Sequence, residues 1–135
     1  MAIDYFLTFE RPVPVDDLHR GLIEAGLRDL GLPILAGDGL DASAFLRGDG
    51  RSCVALRLDK FADGAHTVML DVVARLLVGF GDAELWMDDL HLLTHAGRHS
   101  RQFDRAGGWT EAQTECARVI FAARGLEFVA EDLAS

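Results

Sequence analysis

The chain has 135 residues, 50% of them apolar and 26% charged, with 22 acidic against 13 basic residues for a formal net charge of -9. That length suits one domain, residues 1–135, whose core can stand without metal or disulfide staples. The acidic balance argues against nucleic acid as a direct partner, because phosphate binding draws on basic patches, and no apolar run approaches the roughly 18 residues that span a bilayer.

The opening "MAIDYFLTFERP" has no basic segment followed by an apolar one, so no secretory signal is read there and a cytoplasmic location is expected. Within it, Ile3, Tyr5, Leu7 and Phe9 alternate with Asp4, Phe6, Thr8 and Glu10, the period of two that predicts a strand. Pro14 suits a first helical position. From Val15, residues Leu18, Leu22, Ala25 and Leu30 fall on one stripe, which predicts a helix ending around Gly31 and Pro33.

"GDGLDASAFLRGDGRSCVALRLDK" reads as a loop, a strand near 42–47, a turn at "GDG" and a strand at 52–59. In the latter, Val54, Leu56 and Leu58 alternate with Cys53, Ala55 and Arg57. Asp63 is the expected N-cap of a second helix. Its body, "HTVMLDVVARLLVGF", carries Met69, Val72, Val73, Leu76, Leu77 and Phe80 as a wide apolar stripe, with Gly79 and Gly81 as stops.

"DAELWM" predicts a strand with Ala83, Leu85 and Met87 on one face and Glu84, Trp86 and Asp88 on the other; "HLLTHAG" is its hairpin partner across "DDL". "RHSRQFDRAGG" reads as a polar loop. A third helix, "WTEAQTECARVIFAAR", follows with Thr110 as cap, Ala112, Cys116, Val119, Ile120 and Ala123 as stripe, and Gly125 as stop. The tail "LEFVAEDLAS" fits a short strand or packed coil. The order predicts an α+β fold: a ferredoxin-like βαββαβ antiparallel sheet with helices, extended by a fifth strand and a C-terminal helix. Leu56, Leu58, Met69, Val73, Leu76 and Leu85 are the expected core.

The spacing of His91, His95 and His99 raises the question of a metal. On a strand, His91 and His95 would stand about 13 Å apart, too far to share an ion whose ligands lie about 2 Å away. His99 lies beyond Gly97, and His19 and His66 fall on helices without a carboxylate-rich companion. No metal or cofactor is therefore expected. Cys53 and Cys116 form no CxxC pair and sit among apolar neighbours, as buried thiols do. "AGDGLDAS" lacks the lysine and the strand-to-helix setting of a phosphate loop, and no nucleophile elbow is present. No catalytic residue is assigned. The acid pairs Asp16/Asp17 and Asp88/Asp89 fit a helix start and a turn.

The stretch "VALRLDKFADGAHTVMLDVVARLLVGFGDAELWMDDLHLLTHAG" resembles the Sit-type immunity proteins of bacterial polymorphic toxin systems. The likeness lies in a strand ending in "RLDK", a helix opening near "ML", "GDAELWMDD" with its hairpin and a Leu-Leu return strand; the opening "MAIDYFLTF" and Trp109 also match. The histidines of the return strand and the helix after Trp109 depart from it. The resemblance implies a non-enzymatic protein that binds a cognate toxin domain stoichiometrically and neutralises it. It transfers no catalytic residue. The other class of function open to such a chain is a small-molecule-binding or enzymatic α+β domain with the sheet face as pocket floor. The oligomeric state is left open.

For a protein partner, the expected surface is the sheet face opposite the core set: Phe6, Thr8, Arg57, Glu84, Trp86 and Asp88, with the Asp88–Asp89 turn at one end. Glu84, Trp86, Asp88 and Asp89 are the candidate partner-binding residues, an aromatic anchor ringed by acids. The third helix either packs over this face, making Trp86 core, or lies elsewhere and leaves it open.

Overall fold

The computed structural model describes residues 2–29, 35–37, 39–59, 64–81, 83–87, 90–94, 98–100, 111–126 and 130–131. In chain order the elements are β1 (Ala2–Phe9), α1 (Val15–Glu24), β2 (Arg28–Asp29), β3 (Leu35–Gly37), β4 (Leu40–Leu46), β5 (Ser52–Asp59), α2 (Ala65–Phe80), β6 (Ala83–Met87), β7 (Leu90–Thr94), β8 (Arg98–Ser100), α3 (Glu111–Ala123) and β9 (Ala130–Glu131). The protein is α+β. Its strands form one sheet in the order β2-β3-β4-β5-β1-β6-β7-β8-β9. Neighbours run antiparallel except β8 and β9, which are parallel.

β1 lies at the centre because its alternation supplies a fully apolar face: Leu7 registers with Val54 of β5 on one side and Leu85 of β6 on the other. Tyr5, Leu7, Phe9, Val54, Leu56, Leu58 and Leu85 all face the helices and are buried. Leu18 and Leu22 of α1 close over them, and α2 adds Met69, Val73 and Leu76. Every residue expected in the core is there, none more than 3% exposed.

α2 is buried on more than one side. Leu70 and Ala74 have no exposure although they lie off the sheet-facing stripe, because α3 packs on the outer side of α2. Phe80 meets Phe9 edge-on at 6.2 Å between centroids, and the α2 C-terminal carbonyl of Phe80 accepts from Arg11 Nε at 2.7 Å. Such a basic cap satisfies one of the orphan carbonyls that end every helix. A Cβ on Gly21 would meet the Phe80 ring at 2.7 Å, so glycine lets α1 approach α2 closely there.

Several boundaries differ from expectation. α1 ends at Glu24 rather than near Gly31, and Gly31 and Pro33 lie outside the described residues. The stop is Gly26 at φ 103°: its N–H donates to Ile23 O and that of Leu27 to Leu22 O, the paired bonds of a Schellman ending. Pro14 is the N-cap of α1, one place before the first helical turn. Gly64 occupies the N-cap of α2, and the expected cap Asp63 lies outside the described residues, as does Thr110. β2 and β3 were not expected, and β8 falls in the stretch read as a polar loop. These are strands of two or three residues, too short to show a period.

α3 also turns out rotated. Ala117 and Phe121 are fully buried, with Ile120 partly so, while Ala112, Val119 and Ala123 of the expected stripe are exposed. Phe121 is the largest apolar side chain of the helix and sets which face is buried; the stripe 113/117/120/121/124 follows it.

Candidate functional site

The face of the sheet away from the helices carries the alternate residues of the same strands. Register places them in rows. Phe45 of β4, Cys53 of β5, Thr8 of β1 and Glu84 of β6 form one row. Ser43, Ala55, Phe6, Trp86 and His91 of β7 form the next. Asp41, Arg57 and Asp4 form a third, in which Arg57 Nε lies 3.5 Å from Asp4 Oδ1. The outcome is an aromatic middle with charged ends.

Along the first two rows lies a groove of about 570 Å³, lined by Phe6, Thr8, Phe45, Arg47, Arg51, Cys53, Glu84 and Trp86. It brings together two of the four candidate partner-binding residues: Trp86 Nε1 donates to Glu84 Oε2 at 3.3 Å across the strand pleat. Asp88 and Asp89 lie outside the described residues, as do His95 and Trp109. Arg57 belongs to the same face but lies at its other end, outside the groove lining. Phe6 is 36% exposed, whereas Thr8 and Cys53 on the same face are nearly inaccessible.

The floor is therefore buried and hydrogen-bonded. Thr8 Oγ1 donates to Cys53 Sγ at 3.7 Å and accepts from Arg47 Nη1 at 3.3 Å. Burial pushes the Cys53 thiol above its ordinary value, outweighing the Thr8 hydrogen bond and the nearby Arg47 charge. Cys53 is accordingly a packed thiol without thiolate character at neutral pH.

The rim is built by the β4–β5 hairpin. Arg47 N–H donates to Arg51 O at 2.8 Å and Gly50 N–H to Arg47 O at 2.9 Å, with Gly50 at φ 87°. This is a three-residue turn whose left-handed position calls for glycine. Asp49 accepts the Arg51 N–H at 3.0 Å and pairs with Arg47 Nη2 at 3.4 Å. One residue below, Ser52 Oγ donates to Val13 O and accepts from Val13 N at 3.1 Å, tying the segment after β1 to the start of β5.

Phe45, Arg47 and Arg51 were missed as site residues. The signal was present: a three-residue "GDG" turn pairs Leu46 with Ser52 and Phe45 with Cys53, which puts Phe45 on the Thr8 face. The open alternative for the third helix is settled, since α3 lies on α2 and contributes Ala117 and Phe121 to the core side. Among the described residues no helix covers Trp86.

Of the three spaced histidines, His91 and His99 lie on described strands and His95 lies outside the described residues. His91 registers with Trp86, and a bulge at that point pairs Leu93 with Leu85 and then His99 with Leu93. Among the described residues no group of three or more His, Cys, Asp or Glu is placed to hold a metal ion, and no described helix is long and apolar enough to cross a membrane. No protein-family model matches the chain, and no curated protein or solved structure matches it.

Proposed function

We propose that this chain is a cytoplasmic immunity protein that binds a cognate polymorphic toxin domain and neutralises it by stoichiometric occlusion, without catalytic residue, cofactor or metal. The observation that supports the reading is the groove on the sheet face that no described helix covers. There Trp86, Phe6 and Phe45 offer aromatic area while charged side chains ring it, the composition in which a few anchors carry most of the binding energy of a protein interface. The net charge of -9 adds long-range steering toward a basic partner. The strand order β4-β5-β1-β6, with α1 and α2 on one face, accords with a ferredoxin-like βαββαβ reading in which β7 is the fifth strand and α3 the C-terminal addition.

The test is co-expression with the C-terminal domain of a large protein encoded beside this gene. The expected outcome is rescue of growth and an equimolar complex, with Trp86→Ala weakening binding by about 2 kcal/mol or more. Absence of rescue and of a complex with that domain counts against the reading. A second reading, a small-molecule site, draws on the same groove, whose volume of about 570 Å³ lies within the range of ligand pockets. A tight small ligand lost on Trp86→Ala, together with no toxin complex, favours it.

A further inference from the structure

Most described arginines are engaged; Arg28 on β2 is an exception, and it lies outside the groove lining. Arg20, Arg57, Arg75, Arg118 and Arg124 each pair with a carboxylate of their own surroundings. Arg47, at the groove, is likewise committed to Asp49 and Thr8. Arg51 is not. Its backbone N–H is used by Asp49, but its guanidinium has no hydrogen bond or ion pair among the described residues, although it lines the groove beside three aromatic rings.

A guanidinium presents a rigid fork that matches a carboxylate. The turn bonds between Arg47 and Arg51 hold its backbone in place, so part of the ordering cost is met before binding. At the β6 side the groove is closed by Glu84, which is tied to the Trp86 indole and repels an incoming acid. At the β4–β5 end Arg47 and Arg51 outnumber Asp49, which Arg47 already pairs, so an anionic group is directed there, with its neighbouring atoms over Phe45, Phe6 and Trp86.

Resting on the immunity reading, we propose that the groove seats a segment of the partner protein in which a carboxylate side chain stands next to a bulky apolar one. The carboxylate takes the Arg51 fork, and the apolar side chain enters between Phe45, Phe6 and Trp86. The rest of the acidic surface steers a partner that is basic overall; this end of the groove selects an acidic exception within it.

Three blocked dipeptides serve as probes of the full chain: N-acetyl-phenylalanyl-glutamyl amide and its glutaminyl and lysyl counterparts. Binding is followed by the indole N–H resonance of Trp86, assigned by its loss in Trp86→Phe. The glutamyl peptide is expected to shift that resonance and to bind about threefold or more tighter than the other two at low salt, the range of a partly exposed ion pair. Arg51→Gln, a substitution at an exposed position, is expected to abolish the preference without disturbing the rest of the spectrum. Equal binding of glutamyl and glutaminyl peptides, tighter binding of the lysyl peptide, no shift at Trp86, or a preference that survives Arg51→Gln overturns the proposal. With the neighbouring toxin domain, Arg51→Glu is expected to lower affinity about tenfold or more. A toxin bound equally well by wild type and Arg51→Glu sinks the inference and leaves the immunity reading intact. The glutamyl preference without any toxin complex does the reverse.

Discussion

The two faces of β1 differ by one residue of offset and by everything that covers them. Tyr5, Leu7 and Phe9 lie beneath α1 and α2 in a continuous apolar core. Phe6 and Thr8, on the other side, have neighbouring strands and the β4–β5 turn beside them and, among the described residues, no helix above them. Thr8 is sealed with its hydroxyl engaged by Cys53 and Arg47, while Phe6 stays partly in water. One face holds the fold; the other has aromatic surface that the fold does not need. A single strand can therefore test both.

The largest expected effect is on β6. Leu85→Ala removes a side chain with no exposure and should cost roughly 2 to 5 kcal/mol in denaturant unfolding. The adjacent Trp86→Ala should keep the fold at a cost of about 1 to 2 kcal/mol, because only part of the ring leaves contact. Equal losses at both positions would erase the distinction between the faces.

Acid should attack the helix side next. His66 on α2 has its pKa lowered to about 4 by burial, whereas an unfolded histidine takes its proton near pH 6.5. Between those values the unfolded chain binds more protons, so stability is complete above about pH 6.5 and falls as the pH drops through the window. The fall should total at most about 3 kcal/mol, given the partial exposure of the ring. His66→Asn should flatten this part of the stability–pH curve. Burial acts to raise the pKa of Asp71, but hydrogen bonds from Arg75 and Arg124 outweigh it and hold the carboxyl below its ordinary value; that contribution is lost on further acidification.

A smaller effect checks where α3 lies. Arg124 Nη2 meets Asp71 Oδ1 at 3.0 Å, the two side chains being 31% and 36% exposed. A double-mutant cycle of Asp71→Asn with Arg124→Ala should return a coupling of about 0.5 to 1 kcal/mol. No coupling, together with an Ala117→Leu change that leaves stability untouched, would place α3 elsewhere. Smallest of all should be Thr8→Val. It removes a hydroxyl whose contacts to Cys53 and Arg47 are long and should cost less than about 1 kcal/mol. A loss near that of Leu85→Ala would mean that the groove floor belongs to the core.

Strand faces were legible because the period of two is a property of the backbone itself: once Leu7 points inward, Phe6 and Thr8 must point outward. The same logic assigned Leu85 and Trp86 to opposite faces. The β4–β5 register was legible in principle from "GDG", since Gly50 fixes the turn type and the turn type fixes which residues face each other. The expected α3 stripe failed by one helical position. Apolar residues occur on several sides of that helix, and periodicity alone could not rank Phe121 above Val119.

By itself, then, the sequence determined the α+β class, the two apolar strand faces, the wide burial of α2 and the placing of Phe6 and Trp86 on one side of the sheet. Those follow from local periods and turn chemistry, which act over a few residues. Tertiary structure alone decided that α3 docks on α2, so that among the described residues no helix covers Trp86. It also decided that Arg51 and Phe45 join residues some forty positions away around one groove. The physical reason is that a periodic pattern states which side of an element avoids water, whereas the surface that meets it depends on where the chain crosses in space.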